Sequence, residues 1–113
     1  MINVYDTANQ LEKDLRQTPE ILGLQGAFSQ MKADAMAYSM FQKMQKMQAD
    51  FQEKQINGQE ISDEEIKNLQ DLSGQLTKFD SVKNLMEQER KVNAMMEELN
   101  KIISKPLAEI YQS

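Results

Sequence analysis

Apolar residues recur at three- and four-residue spacing along most of this chain, most densely over Ala33–Phe51, ADAMAYSMFQKMQKMQADF. That period belongs to helices; strands alternate at two. At about 100° per residue, and with Met36 at zero, Met47, Met40 and Phe51 fall at roughly 20°, 40° and 60°, and Met44 at roughly 80°. This is a stripe of ordinary width for a buried helix face. The residues before it point elsewhere. Leu24, Ala27, Phe28, Met31, Ala35 and Tyr38 gather around roughly 180–280° on the same wheel. Read as one helix, the segment changes its apolar side near Ala33–Phe41 and is apolar there on nearly two sides. Two apolar sides call for two partners: the chain's own helices on one, a second copy on the other.

The chain has 113 residues, enough for one modest core. Hydrophobic residues make up 40% and charged residues 27%, a globular rather than a disordered balance. Only 6% are aromatic, while 9 are Met, so the apolar faces are built from pliable side chains that adapt to what they meet. With no Cys and no His, disulfides, the usual zinc and iron–sulfur ligand sets, thiol catalysis and imidazole acid–base catalysis all drop out. A net charge of −5 argues against nucleic acid as the main partner, since phosphate backbones need clustered Lys and Arg. No stretch approaches the roughly 20 apolar residues of a membrane span. MINVYDTANQ lacks the basic and apolar regions of a signal peptide. A cytoplasmic protein is the expectation.

Taken in order, Asn3 caps a first amphipathic helix carrying Val4, Tyr5, Ala8, Leu11 and Leu15. Thr18-Pro19-Glu20 ends it and opens the next. Thr18 caps, Pro19 takes the first helical position and Glu20 suits the positive helix end. The second helix is expected to run from about Pro19 to Ile56, its first turns weakened by Gly23 and Gly26, where a kink or break is one reading. The other reading of Gly23 and Gly26 is as small residues over which helix 1 crosses closely. Gly58 is the left-handed residue that stops it. Ser62 and Glu65 form a capping box, with Ile61 and Ile66 as a hydrophobic staple. Glu53–Glu64 superficially suggests an EF-hand, but Glu53, Gln55 and Glu60 are wrong for the loop. Asp80 is expected to cap the last long helix, whose seam is Val82, Leu85, Val92, Met96, Leu99 and Ile103, interrupted by Glu89. Glu87, Glu97 and Glu98 lack the His that carboxylate di-metal sites in bundles require. Pro106 is expected to interrupt that helix, with Leu107, Ile110 and Tyr111 folding back on the core.

The opening NVYDTANQLEKDLRQTPE, the long-helix segment with QINGQEISDEEI, and the ending NKIISKPLAEIY together resemble the YlbF/YmcA family of small helical bacterial proteins, most of all its YheA-like, uncharacterised branch. The resemblance covers nearly the whole chain. It implies a helical bundle that dimerises through its long helices, and no established enzyme activity. Relatives in the wider family act as regulatory subunits affecting competence, sporulation, biofilm formation and RNA processing. Some carry cysteines that help hold iron–sulfur clusters, which this chain does not.

The expectation is therefore an all-α bundle in a single domain, 1–113, with one long central helix and short flanking helices, dimerising through the long helix. The helices fall near 3–17, 19–57, 62–78 and 80–105, with a last turn at 106–111. The expected role is a non-catalytic scaffold or regulatory adaptor acting as a homodimer through Met36, Met40, Met44, Met47 and Phe51, without cofactor or metal. The alternative is a subunit that binds a different protein, in an RNA-processing or developmental regulatory complex, through the same Met-rich face.

Overall fold

The computed structural model describes residues 2–112, and its regular elements are all helices: α1 (Val4–Leu15), α2 (Pro19–Ala33), α3 (Ala35–Ile56), α4 (Asp63–Leu76) and α5 (Asp80–Gln112). The helix ends follow local chemistry. Asn3 Oδ1 accepts from the amides of Tyr5 and Asp6, at 3.1 and 3.3 Å. Thr18 Oγ1 donates to the Leu15 carbonyl at 2.7 Å and accepts from the Ile21 amide at 3.3 Å, so one hydroxyl closes α1 and opens α2.

The single helix expected over 19–57 is two helices, and the break falls at Asp34 rather than at Gly23 or Gly26. Asp34 leaves helical geometry at φ −88° and ψ 99°, and its carboxylate accepts from the Ala37 amide at 3.3 Å. A short acidic side chain competes with the helix for backbone amides, which disfavours it inside a helix and favours it at the cap. The change of apolar side at Ala33–Phe41 thus coincides with a break. A single wheel misplaced the two halves relative to each other. The long helix of this chain is instead α5, of 33 residues.

α5 also passes through Pro106 without stopping. Proline removes one donor, so the Ile102 carbonyl loses its helical partner. Every described residue from Lys101 onward is exposed, and water can reach that carbonyl. Asp80 lies in the first turn of α5 rather than at its cap, and the Lys83 amide bonds the Phe79 carbonyl at 3.0 Å.

The structure divides into two compact units, Ala27–Leu85 and the combination of Met1–Gly26 with Met86–Ser113. In Ala27–Leu85, Ala27 and Met31 of α2, Ala37 of α3, Leu76 of α4, and Val82 and Leu85 of α5 are the buried core. Met31 is fully buried, which contributes about 1.5–3 kcal/mol. The break at Asp34 is braced by rings. Phe28 lies edge-on to Tyr38 and to Phe41, with centroids 6.5 and 6.0 Å apart, and Lys32 Nζ sits 5.9 Å from the Tyr38 ring.

α3 reverses into α4 through a loop of fixed geometry. Gly58 is left-handed at φ +70°. The Gln59 amide reaches the Lys54 carbonyl at 2.8 Å, and the Gly58 amide the Gln55 carbonyl at 3.2 Å. That pair of bonds is a Schellman ending. The Ser62 hydroxyl accepts from the Glu65 amide at 3.1 Å and donates to the Glu65 carboxylate at 3.1 Å. The other Glu65 oxygen pairs with Lys54, tying the end of α3 to the start of α4.

In the other unit, α1 and the later part of α5 contribute no fully buried residue among those described. Gly23 is approached by α5 rather than by α1. A Cβ there would lie 2.6 Å from Gln88 Oε1, whereas nothing comes within 4 Å of the same point at Gly26.

Two outcomes follow from these contacts. Asp34→Ala removes the α3 cap and is expected to lower stability by about 0.5–2 kcal/mol in urea unfolding. The Lys54 ammonium beside Glu65 holds its carboxyl below the usual carboxylate value of 4.5. The folded-state pKa is the depressed one. The pair's contribution is therefore fully present above pH 4.5 and lost as pH falls through the lower folded value. Lys54→Met is expected to be less stable than wild type at pH 7, with the difference shrinking as the pH is lowered progressively below 4.5. Urea midpoints of both proteins measured across that range check this.

Candidate interaction surface

The methionine stripe of α3 runs along a helix whose neighbour is α4. Met40, Met44, Met47 and Phe51 are half-buried. Met36, at the start of the helix, is 67% exposed. Met47 and Phe51 line a groove of about 380 Å³ with Asp50, Glu53 and Lys54 on the α3 side, and Gln59, Glu65 and Asn68 on the other. Its lining thus mixes two apolar side chains with carboxylate, amide and ammonium groups. It contains no nucleophile with a neighbouring base, and nothing that would orient a reacting carbonyl or phosphoryl group. Such a surface packs and hydrogen-bonds. The five residues of the stripe thus share one helix, four of them partly covered and one open.

The acidic residues do not assemble into a metal centre. Among the described residues no group of three or more acidic, His or Cys side chains is placed to hold an ion. Glu87 pairs instead with Arg90, at 2.5 Å, and this guanidinium holds its carboxyl below the usual value. Glu89, the interruption in the α5 seam, is exposed and so is not a buried charge in need of a partner. Among the described residues no helix is long and apolar enough to cross a membrane.

A second surface was not anticipated from the sequence. Leu107, Ile110 and Tyr111 do not fold back on a core; they are 60%, 67% and 83% exposed. With Ile103 they continue the α5 seam past its last half-buried residue, Leu99. Val4, Tyr5, Thr7, Ala8 and Leu11 of α1 line a groove with Ile103. The signal was present in the unbroken three- and four-residue spacing from Val92 to Ile110, which Pro106 does not disturb. The expectation that proline ends the helix concealed it.

Comparison with known proteins agrees with this architecture. The family model described as "Control of competence regulator ComK, YlbF/YmcA" matches residues 4–108. A UPF0342 protein of Latilactobacillus sakei is 49% identical over 111 residues, covering 98% of this chain and 97% of that protein. Another, from Limosilactobacillus fermentum, is 47% identical over 112 residues, covering 99% and 93%. Among solved structures, a protein of unknown function (DUF964) from Bacillus stearothermophilus superposes with a TM-score of 0.87 at 28% identity, covering 97% of this chain and 96% of that one. The yheA protein of Bacillus subtilis gives 0.75 at 29% identity, covering 97% and 100%. With the match spanning nearly every helix described above, this chain belongs to the YlbF/YmcA family, among the uncharacterised all-helical bacterial proteins grouped as UPF0342.

Proposed function

We propose that the protein is a non-catalytic scaffold or regulatory adaptor that acts as a homodimer in the cytoplasm. The observation that carries this reading is the incomplete covering of the α3 stripe. Met40, Met44, Met47 and Phe51 keep part of their surface open beside α4, and Met36 is 67% exposed. Unbranched thioether side chains lose little by repacking, so a half-covered methionine row can meet a second surface without strain. In the proposed dimer the stripe is the contact, and the partner's stripe completes its burial. The lack of His and Cys fits a role carried by binding rather than by chemistry.

A second reading is supported by the family description, which names control of a competence regulator. In that reading the same stripe receives a different protein, a subunit of a developmental or RNA-processing complex. Adaptable methionine surfaces serve such recognition equally well.

Met44→Glu distinguishes these. A carboxylate in the stripe opposes its own copy across a two-fold interface and resists desolvation. Wild type is expected to scatter light as two chains of 13.1 kDa each and Met44→Glu as one, with helicity by circular dichroism retained. A wild-type mass of one chain removes the homodimer. In that case, loss of a captured partner by Met44→Glu, with the fold intact, would carry the second reading.

A further inference from the structure

We infer that the groove between α3 and α4 is a docking site for a basic, amphipathic helical segment of another protein. This deepens the second reading above, in which a different protein sits on the α3 face, and it rests on that reading.

The first support is where the charge lies. Of the chain's 18 acidic and 13 basic residues, six and one fall between Asp50 and Glu65, leaving twelve of each sign elsewhere. The net charge of −5 is thus the charge of this one stretch, which forms the reversal from α3 into α4. Asp50, Glu53, Glu60, Asp63 and Glu64 are exposed, while Lys54 is already paired with Glu65.

The second support is that the fold does not use all of these carboxylates. Asp63, Glu64 and Glu65 open α4 and suit its positive end. Glu53 stands in the last turn of α3, with Asp50 one turn before, towards a negative helix end that disfavours them. Among the described residues neither is in an ion pair. Both line the groove of about 380 Å³ beside Met47 and Phe51. Those two are half-buried, and Ile56 at the end of the same helix is 84% exposed. Open apolar surface and uncompensated negative charge therefore meet in one place.

The two together select the occupant. A second copy docking by this same groove would set carboxylates against their own image. Nucleic acid and anionic lipid meet the same repulsion. A small cation would use the groove alone, yet the charge extends past its lining to Glu60, Asp63 and Glu64. A helix with an apolar stripe flanked by Lys and Arg matches both components. Its apolar side chains pack on Met47 and Phe51, where the unbranched thioether adapts to their shape. The aliphatic stems of its basic residues lie along that surface while their heads reach Asp50 and Glu53.

Fluorescence anisotropy with a labelled Leu/Lys amphipathic helix tests this at pH 7. Wild type is expected to bind the peptide, more weakly as salt is raised, and not to bind its Leu/Glu counterpart. Asp50→Gln with Glu53→Gln is expected to weaken binding about fivefold at low salt. Glu97→Gln with Glu98→Gln removes the same charge from exposed positions of α5 and is expected to change nothing. Equal losses in the two pairs would reduce the attraction to net charge and overturn the inference. A Ser/Lys peptide of the same charge that binds as tightly as Leu/Lys would also overturn it, since the apolar side chains would then play no part. If Met44→Glu releases the peptide while Asp50→Gln with Glu53→Gln holds it as wild type does, the α3 face takes a partner elsewhere. The inference is then wrong and the reading beneath it stands. If wild type binds neither peptide, the basic occupant is wrong, and the second reading is left to the partner-capture comparison with Met44→Glu.

Discussion

The carboxylate of Asp34 takes the amide of Ala37, and the packing of Ala27–Leu85 depends on the helix ending there. A helix continuous through this point would hold Ala27 and Met31 on a line with Ala37 and carry their side chains to different sides. Broken, the segment lets all three reach one core with Leu76, Val82 and Leu85. Two of these residues are alanines, and small side chains let the backbones approach closely. The edge-on rings of Phe28, Tyr38 and Phe41 then fill the space around the break. One short side chain thus decides where two helices part, and the core follows from that.

Much of the architecture was legible in the residues because it is local. Asn3, Thr18, Ser62 and Gly58 each act within a few positions of themselves, and each does what its chemistry dictates. The misreadings have a common cause. Asp34, Gly23 and Pro106 were judged by pattern or general rule, whereas their roles depend on surroundings that pattern does not supply. Asp34 sits between good helix formers and so looked like part of a helix. Gly23 was paired with the nearest helix in sequence, but Gln88 is what approaches it. Pro106 was taken as a stop, although on an exposed turn the orphaned carbonyl has water to bond. The ion pair of Lys54 and Glu65 was out of reach for a related reason. It links residues that come together only once the loop at Gly58 has set its geometry.

The methionine stripe shows how far periodicity carries a functional reading. It located an apolar face on residues 36–51, whereas thiol and imidazole chemistry dropped out on composition alone. It did not say how much of that face the chain's own α4 would cover, because this depends on the loop length between two helices and the tilt they adopt. The α5 seam was identified as regular from Val82 to Ile103, and its regularity continues for two further turns. Past Leu99 the residues of that stripe are exposed.

The groove between α1 and α5 joins residues near one end of the chain to Ile103 near the other. Contacts so distant in sequence form late, since the whole intervening loop must close first. During synthesis α1 emerges long before its companion exists, and a helix of 12 residues is barely stable alone. The α3–α4 reversal, by contrast, is assembled from adjacent segments and can settle while the remainder is still being made. This topology orders the maturation of the protein: a central hairpin first, and the two extremities last.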